Sequence, residues 1–312
     1  MHIKKRIING RKYRYAARSI RMPDGSVRSL QKIMDGRPGS EVEKALDEKE
    51  AMERARYLLK KCRPDHIFTE EEFAKIERIR VGYRKVIRKL DKASLKDMLD
   101  RFTANFTYES NALEGNSLTL KDVTIVMFEN ASPKGSDLRE VYETRNSRKV
   151  VELIAGNKFR VSEHDIIRMY SMLMMDIDPS AGYKKIPNFI VGSRLKTALP
   201  ENVPVEMKKL LGWYAQNEGS MHPLKLAALF HGKFEQIHPF RDGNGRVGRF
   251  LVNIILVSRK YPPLIVRKSQ RIAYLRTLEK FDSGHTDAIE RFMLERFKET
   301  YRKFFEVYVK YL

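Results

Sequence analysis

His238-Pro239-Phe240-Arg241-Asp242-Gly243-Asn244-Gly245-Arg246-Val247-Gly248-Arg249 is the stretch from which the rest of the chain can be read. Apolar residues at Leu226, Leu229, Phe230 and Phe234 predict a helix running into it. Val247, Phe250, Leu251, Ile254 and Ile255 recur at helical spacing and predict a buried helix leaving it. A glycine-rich loop therefore opens a helix, where free backbone N–H groups and the helix dipole favour an anion. Gly243 and Gly245 let the backbone approach a phosphate closely. Arg246 and Arg249 are three apart and share a face, so both can grip phosphate oxygens. Asp242 is a hard oxygen ligand suited to Mg²⁺ held jointly with phosphates. His238 is the base beside them, with a titration range suited to taking a proton from a hydroxyl.

Outward from this loop the chain reads as mainly helical. Helices are predicted from about Ser40 to Leu59 and from Thr69 onward. Further ones follow from Ala93 onward, at 120–128, 138–154, 164–175, 205–216, 222–236 and 245–258, and from Ala288 to the last residue. Residues 7–32 contain Met22-Pro23-Asp24-Gly25, a turn signal between strand-like runs, and predict a short β-hairpin. A linker at 35–40 follows. Residues 184–198, with Pro187 and the run Phe189-Ile190-Val191-Gly192, predict a second small hairpin. The division expected is a basic hairpin and linker at 1–40, a helical region at 41–97 and the main domain at 98–312.

The formal charge is +21, and residues 1–40 hold eleven Lys/Arg against two Asp. That patch is either a solvated basic face or a contact for a polyanion such as nucleic acid. The single cysteine, Cys62, excludes an internal disulfide and a cysteine metal cluster. The N-terminus has no apolar stretch behind its charges, and the apolar run 250–257 is far too short to span a bilayer. The expectation is a soluble cytoplasmic protein without a membrane partner. No His-Glu-x-x-His and no Gly-x-Ser-x-Gly accompanies the loop.

The loop resembles the signature of the Fic family, His-x-Phe-x-(Asp/Glu)-Gly-Asn-Gly-Arg-x-x-Arg, at every fixed position. The resemblance implies a Fic-type helical bundle and Mg²⁺-dependent transfer of AMP from ATP to a protein Ser, Thr or Tyr hydroxyl. It makes His238 the base and Asp242 the magnesium ligand. Gly243, Asn244 and Gly245 become the anion hole, Arg246 a phosphate contact, Arg249 the γ-phosphate arginine and Phe240 the anchor of the loop. Gly245 stands where Doc-type kinases carry lysine, which favours AMP transfer over phosphate transfer.

Ser110-Asn111-Ala112-Leu113-Glu114-Gly115-Asn116 reads as a helix end at Gly115-Asn116. A carboxylate at Glu114 opposes the helix dipole, so a cation partner is expected. The segment resembles the inhibitory motif (Ser/Thr)-x-x-x-Glu-(Gly/Asn) of autoinhibited Fic proteins, which implies pairing of Glu114 with Arg249. Phe189, Ile190, Val191 and Gly192 fall where that family has a flap for the target peptide. Arg267, Gln270, Arg271 and Tyr274 resemble its stretch near the adenine, with Tyr274 and Asp282 as base contacts. Removal of AMP from a modified protein, another nucleotide donor, self-modification, homo-oligomer formation and a nucleic-acid-binding role for the basic N-terminus all stay open at this level.

Overall fold

The computed structural model describes residues 2–34, 36–179, 182–188 and 197–312. Three antiparallel strands come first: β1 (His2–Ile8), β2 (Arg11–Arg21) and β3 (Val27–Ile33), in the order β1-β2-β3. This corrects the expected two-stranded hairpin. The extra strand is joined through Asn9 and Gly10, both with positive φ (49° and 73°), the backbone of the tight two-residue turn that Asn-Gly favours. The register runs from His2 opposite Ala17 to Ile8 opposite Arg11, and from Tyr15 opposite Ile33 to Arg21 opposite Val27. The β2–β3 turn is closed by Asp24, whose carboxylate accepts from the Ser26 N–H at 2.9 Å.

The helices are α1 (Gly39–Leu59), α2 (Glu70–Lys89), α3 (Lys92–Leu113), α4 (Leu120–Thr124), α5 (Leu138–Ala155), α6 (Glu163–Leu173), α7 (Val203–Asn217), α8 (Pro223–Ile237), α9 (Asn244–Ser258), α10 (Arg271–Asp282), α11 (Asp287–Phe304) and α12 (Glu306–Lys310). Two expectations are corrected here. The helix expected over 120–128 is α4 followed by a wider π turn at Ile125–Glu129, and α10 lies in a stretch where no helix was expected. Helix α1 begins at Gly39, one residue before the expected start. The second expected hairpin falls largely on residues 189–196, which lie outside the described residues.

The sheet lays Ala16, Ile20 and Leu30 against Val42, Leu46 and Tyr57 of α1, a small apolar cluster of its own. The main core is built around α8 and α9, which run into and out of the signature loop. Leu226, Phe230, Phe234, Val247, Phe250, Leu251 and Ile255 are fully buried there. Helix α9 is enclosed by α3, α5, α6 and α8 along its length, and its first turn is largely buried too, with Asn244 and Arg246 each 1% exposed. Burying side chains of this size removes them from water at about 1.5–3 kcal/mol each.

Helix α3 links the core to the signature loop, because it carries Ser110 and ends at Glu114. It is started by Asp91, whose Oδ1 accepts from the N–H groups of Ala93 (2.9 Å) and Ser94 (3.0 Å). Asp91→Ala should lower stability by about 1 kcal/mol, the cost of losing an N-cap acceptor. Asp91→Asn should keep most of it. Urea unfolding of both variants checks this, and equal losses would assign the effect to charge rather than to the cap.

Candidate active site

Helix α8 stops because His238 turns left-handed, with φ 50° and ψ 61°. The chain then crosses to α9 through Gly243, which caps α9 without a side chain. The first N–H groups of α9 thus have no internal acceptor, which leaves a donor-lined, dipole-favoured seat for an anion. The loop between the two helices is held from inside. Phe240 is fully buried and stacks on Tyr170 at 3.9 Å and 5°. Asn244 clamps the same residue from both sides, donating to the Phe240 carbonyl at 2.7 Å and accepting from its N–H at 2.8 Å. Asn188 adds a second bond to that carbonyl at 2.8 Å, and the Lys184 N–H donates to the Pro239 carbonyl at 2.9 Å.

His238, Asp242, Gly243, Asn244, Gly245, Arg246 and Arg249 are therefore gathered at one helix–loop–helix junction. Nδ1 of His238 faces Glu235 at 3.7 Å. Glu235 is buried, and burial works against its charge. His238, His231 and Arg249 together outweigh that and hold its carboxyl below the ordinary range. The ring of His238 thus turns its other nitrogen, Nε2, away from Glu235.

Arg249 is 3% exposed at its side chain, and such a charge needs partners. Its hydrogen-bond partners come from the end of α3. Its Nε donates to the Ser110 hydroxyl at 3.0 Å, and its Nη2 donates to the Ser110 carbonyl at 2.8 Å and to Glu114 Oε1 at 2.7 Å. Its Nη1 is buried without a hydrogen-bond partner among the described residues. Burial works against the Arg249 charge, but Glu114, with Tyr274 and Glu235, outweighs it and the guanidinium is held more firmly protonated than usual.

Glu114 is placed by backbone chirality. Gly115 has φ +104°, the Gly115 N–H bonds back to Ala112 O at 3.3 Å, and the Asn116 N–H bonds back to Asn111 O at 3.2 Å. This is a Schellman helix end, which needs a residue free to take positive φ. Asn116 then donates to Glu143 at 2.9 Å, and Glu143 faces the buried Arg246 at 3.2 Å. Asp242 pairs with Arg139 and accepts from the Gly243 N–H at 2.5 Å. Ser110, Glu114 and Asn116 thus reach the signature loop, directly or through Glu143.

The other expected positions are distributed differently. Phe189, Ile190, Val191 and Gly192 lie outside the described residues. Tyr274 is buried behind the site, its ring 6.0 Å from the Arg249 guanidinium carbon and its hydroxyl bonded to His231 Nε2 at 2.7 Å. Asp282, at the end of α10, has its carboxyl pushed up to about 6 by burial, with Glu235 and Glu279 adding to the effect. Arg267 and Arg271 secure the end of α3: Arg267 faces Glu109 at 3.3 Å and Arg271 donates to the Leu113 carbonyl at 2.9 Å. Sequence reasoning missed Glu235, Arg139 and Glu143. The i−3 spacing of Glu235 from His238 was the one available signal.

The residues present fit a nucleotide and its metal. The N-terminal turn of α9 and the unpartnered Arg249 Nη1 suit phosphate oxygens, and Asp242 offers one half-exposed carboxylate. Mg²⁺ usually needs only one or two such carboxylates when phosphates supply the rest. Among the described residues no group of three metal-ligating side chains exists.

Comparison with known proteins supports the fold. The Fic/DOC family model matches residues 160–256. Proteins called protein adenylyltransferase Fic from Drosophila virilis and Drosophila willistoni are each 29% identical over 198 residues, or 62% of this chain. The chain spans about two fifths of the length of those relatives (41% and 40%). A Fic family protein from Desulfovibrio desulfuricans is 26% identical, with a TM-score of 0.61 over 76% of this chain and 75% of that one. A Fic-domain signalling protein from Bacteroides thetaiotaomicron shares the fold, with a TM-score of 0.68 at 24% identity over 75% of this chain and 95% of that one. The signature loop lies inside the matched stretch, and residues 160–256 of the chain are a Fic/DOC family domain.

Proposed function

We propose that this chain transfers AMP from ATP to a hydroxyl of a protein, and that Glu114 holds it at rest. The carrying observation is the pairing of Arg249 with Glu114 beside the first turn of α9, which has no side-chain cap. The relatives named protein adenylyltransferase support the reaction class, and Gly245 supports AMP transfer over phosphate transfer.

In the reaction, the hydroxyl oxygen of the target attacks the α-phosphorus. The bond from that phosphorus to the oxygen bridging it to the β-phosphorus breaks, and pyrophosphate leaves. The hydroxyl proton goes to Nε2 of His238, while Glu235 on the Nδ1 side steadies the imidazolium that forms. The N–H groups at the start of α9 and Arg246 stabilise the charge gathering on the phosphate oxygens. Asp242 would hold Mg²⁺, which supplies charge neutralisation on the phosphates. The Asp242–Arg139 contact must open or be shared for that. Much of the barrier is lowered by holding the hydroxyl and the phosphorus in line.

At rest Glu114 neutralises Arg249 and takes up its Nη2, so the guanidinium is not free to meet the γ-phosphate with both terminal nitrogens. A preference of about 100:1 for this state needs only about 2.7 kcal/mol, and it is the buried Arg249, rather than the 39% exposed Glu114, that makes separating the pair costly.

Two substitutions test this with α-labelled ATP. His238→Ala should abolish labelling of the protein itself or of a target, and undiminished labelling would remove His238 from the chemistry. Glu114→Gly should raise labelling at least tenfold at saturating ATP and Mg²⁺, and adding His238→Ala should silence it again. If Glu114→Gly labels no faster than the unmutated chain, Glu114 is an ordinary helix-end carboxylate.

A further inference from the structure

A cleft of about 530 Å³ opens between α2, α3, α5 and α9, within the about 300–1,000 Å³ usual for small-molecule sites. Leu95, Leu99, Phe102 and Phe106 of α3 face Phe250 and Val257 of α9 across it. The polar groups deep in its wall are already satisfied. Thr103 donates to the Leu99 carbonyl at 2.7 Å, and Asn253 exchanges two bonds with Leu264, at 2.8 and 3.0 Å. What the cleft offers an occupant there is apolar surface.

One wall is different. Arg84, Arg88 and Lys260 line this cleft and also line a neighbouring one of about 900 Å³, which lies under the N-terminal sheet. That second space is lined by ten Lys and Arg side chains against the three carboxylates of Glu43, Glu50 and Glu218. Glu50, 3% exposed, faces Arg54 at 3.0 Å and Arg84 at 3.2 Å through Oε1, and Arg18 at 3.3 Å through Oε2. Burial and the nearby Arg54, Arg80 and Arg88 push the Arg84 guanidinium down to about 10, the direction expected where cations outnumber their partners. Arg88 uses its Nε on the Arg84 carbonyl at 3.2 Å. Neither Arg88 nor Lys260 has a carboxylate partner among the described residues.

We infer that the two clefts together bind a single-chain anionic amphiphile, its chain between α3 and α9 and its head group at Arg84, Arg88 and Lys260. A neutral apolar molecule would leave the cations unanswered, and a bare anion would leave the apolar wall in water. An occupant of this kind would touch the same helix that ends in Ser110 and Glu114.

Calorimetric titration of the full chain with decanoate and dodecanoate, below their micelle-forming concentrations, tests the site. A single site is expected, tightening about fourfold per added methylene, the equivalent of about 0.8 kcal/mol for each buried CH₂. Arg88→Glu, at an exposed position, should weaken dodecanoate at least tenfold, as should Leu99→Trp, which fills the slot. 1-Decanol should bind at least tenfold more weakly than decanoate. The proposal is overturned by absent binding, by a flat chain-length series, by equal binding of decanol, by inorganic phosphate binding as tightly as dodecanoate, or by an unchanged Arg88→Glu. The titration contains no ATP, so its failure leaves the AMP-transfer reading untouched, and the failure of that reading leaves this one standing.

Discussion

A guanidinium buried in the second turn of a helix cannot be left without an anion, and that constraint at Arg249 orders the surroundings of the signature loop. Leaving such a charge unpaired costs about 3–5 kcal/mol. The end of α3 must therefore reach Arg249, and it reaches with a hydroxyl, a carbonyl and a carboxylate together. The same helix end delivers Asn116 to Glu143, which faces the second buried arginine, Arg246. Arg139, one turn before Glu143 on α5, meets Asp242. Arg249, Arg246 and Asp242 are each answered from α3 or α5, so the anion seat and the elements guarding it are one electrostatic unit.

The seat itself owes its rigidity to apolar packing rather than to charge. Phe240 stacked on Tyr170 fixes the middle of the loop, and Asn244 ties both backbone groups of Phe240 to the first turn of α9. Backbone donors held this way need little rearrangement when charge develops in front of them, which is the physical content of a preorganised site. Because α9 is enclosed by four other helices, the direction of those donors is set by the core as a whole.

Much of this was legible in the sequence. The helices flanking the loop follow from apolar residues at helical spacing, and the end of α3 follows from Gly115-Asn116. What escaped did so for physical reasons. Strand β1 is exposed along its whole length, so it carries no alternation of buried and polar residues. Its one signal was the Asn9-Gly10 turn. Helix α10 buries Tyr274, Leu278 and Phe281 but leaves Ile272 69% exposed, and it begins in a 3₁₀ turn at Lys268–Gln270 without a side-chain cap of its own. Its stripe is thin and its start unmarked. The pairing of Arg139 with Asp242 joins residues 103 apart and depends on how α5 packs, not on any local pattern.

The absence of a side chain at residue 245 has a meaning beyond loop flexibility. A Cβ there would sit 2.2 Å from the Glu114 carboxylate oxygen and 2.9 Å from Arg249 Nη1. The carboxylate of Glu114 thus occupies space that any larger residue at 245 would claim. One position in the sequence sets both the shape of the anion seat and the room for the helix end that covers it. Evolution cannot adjust these two properties separately at residue 245: a lineage that acquires a side chain there changes how the seat receives phosphate and displaces Glu114 in the same step.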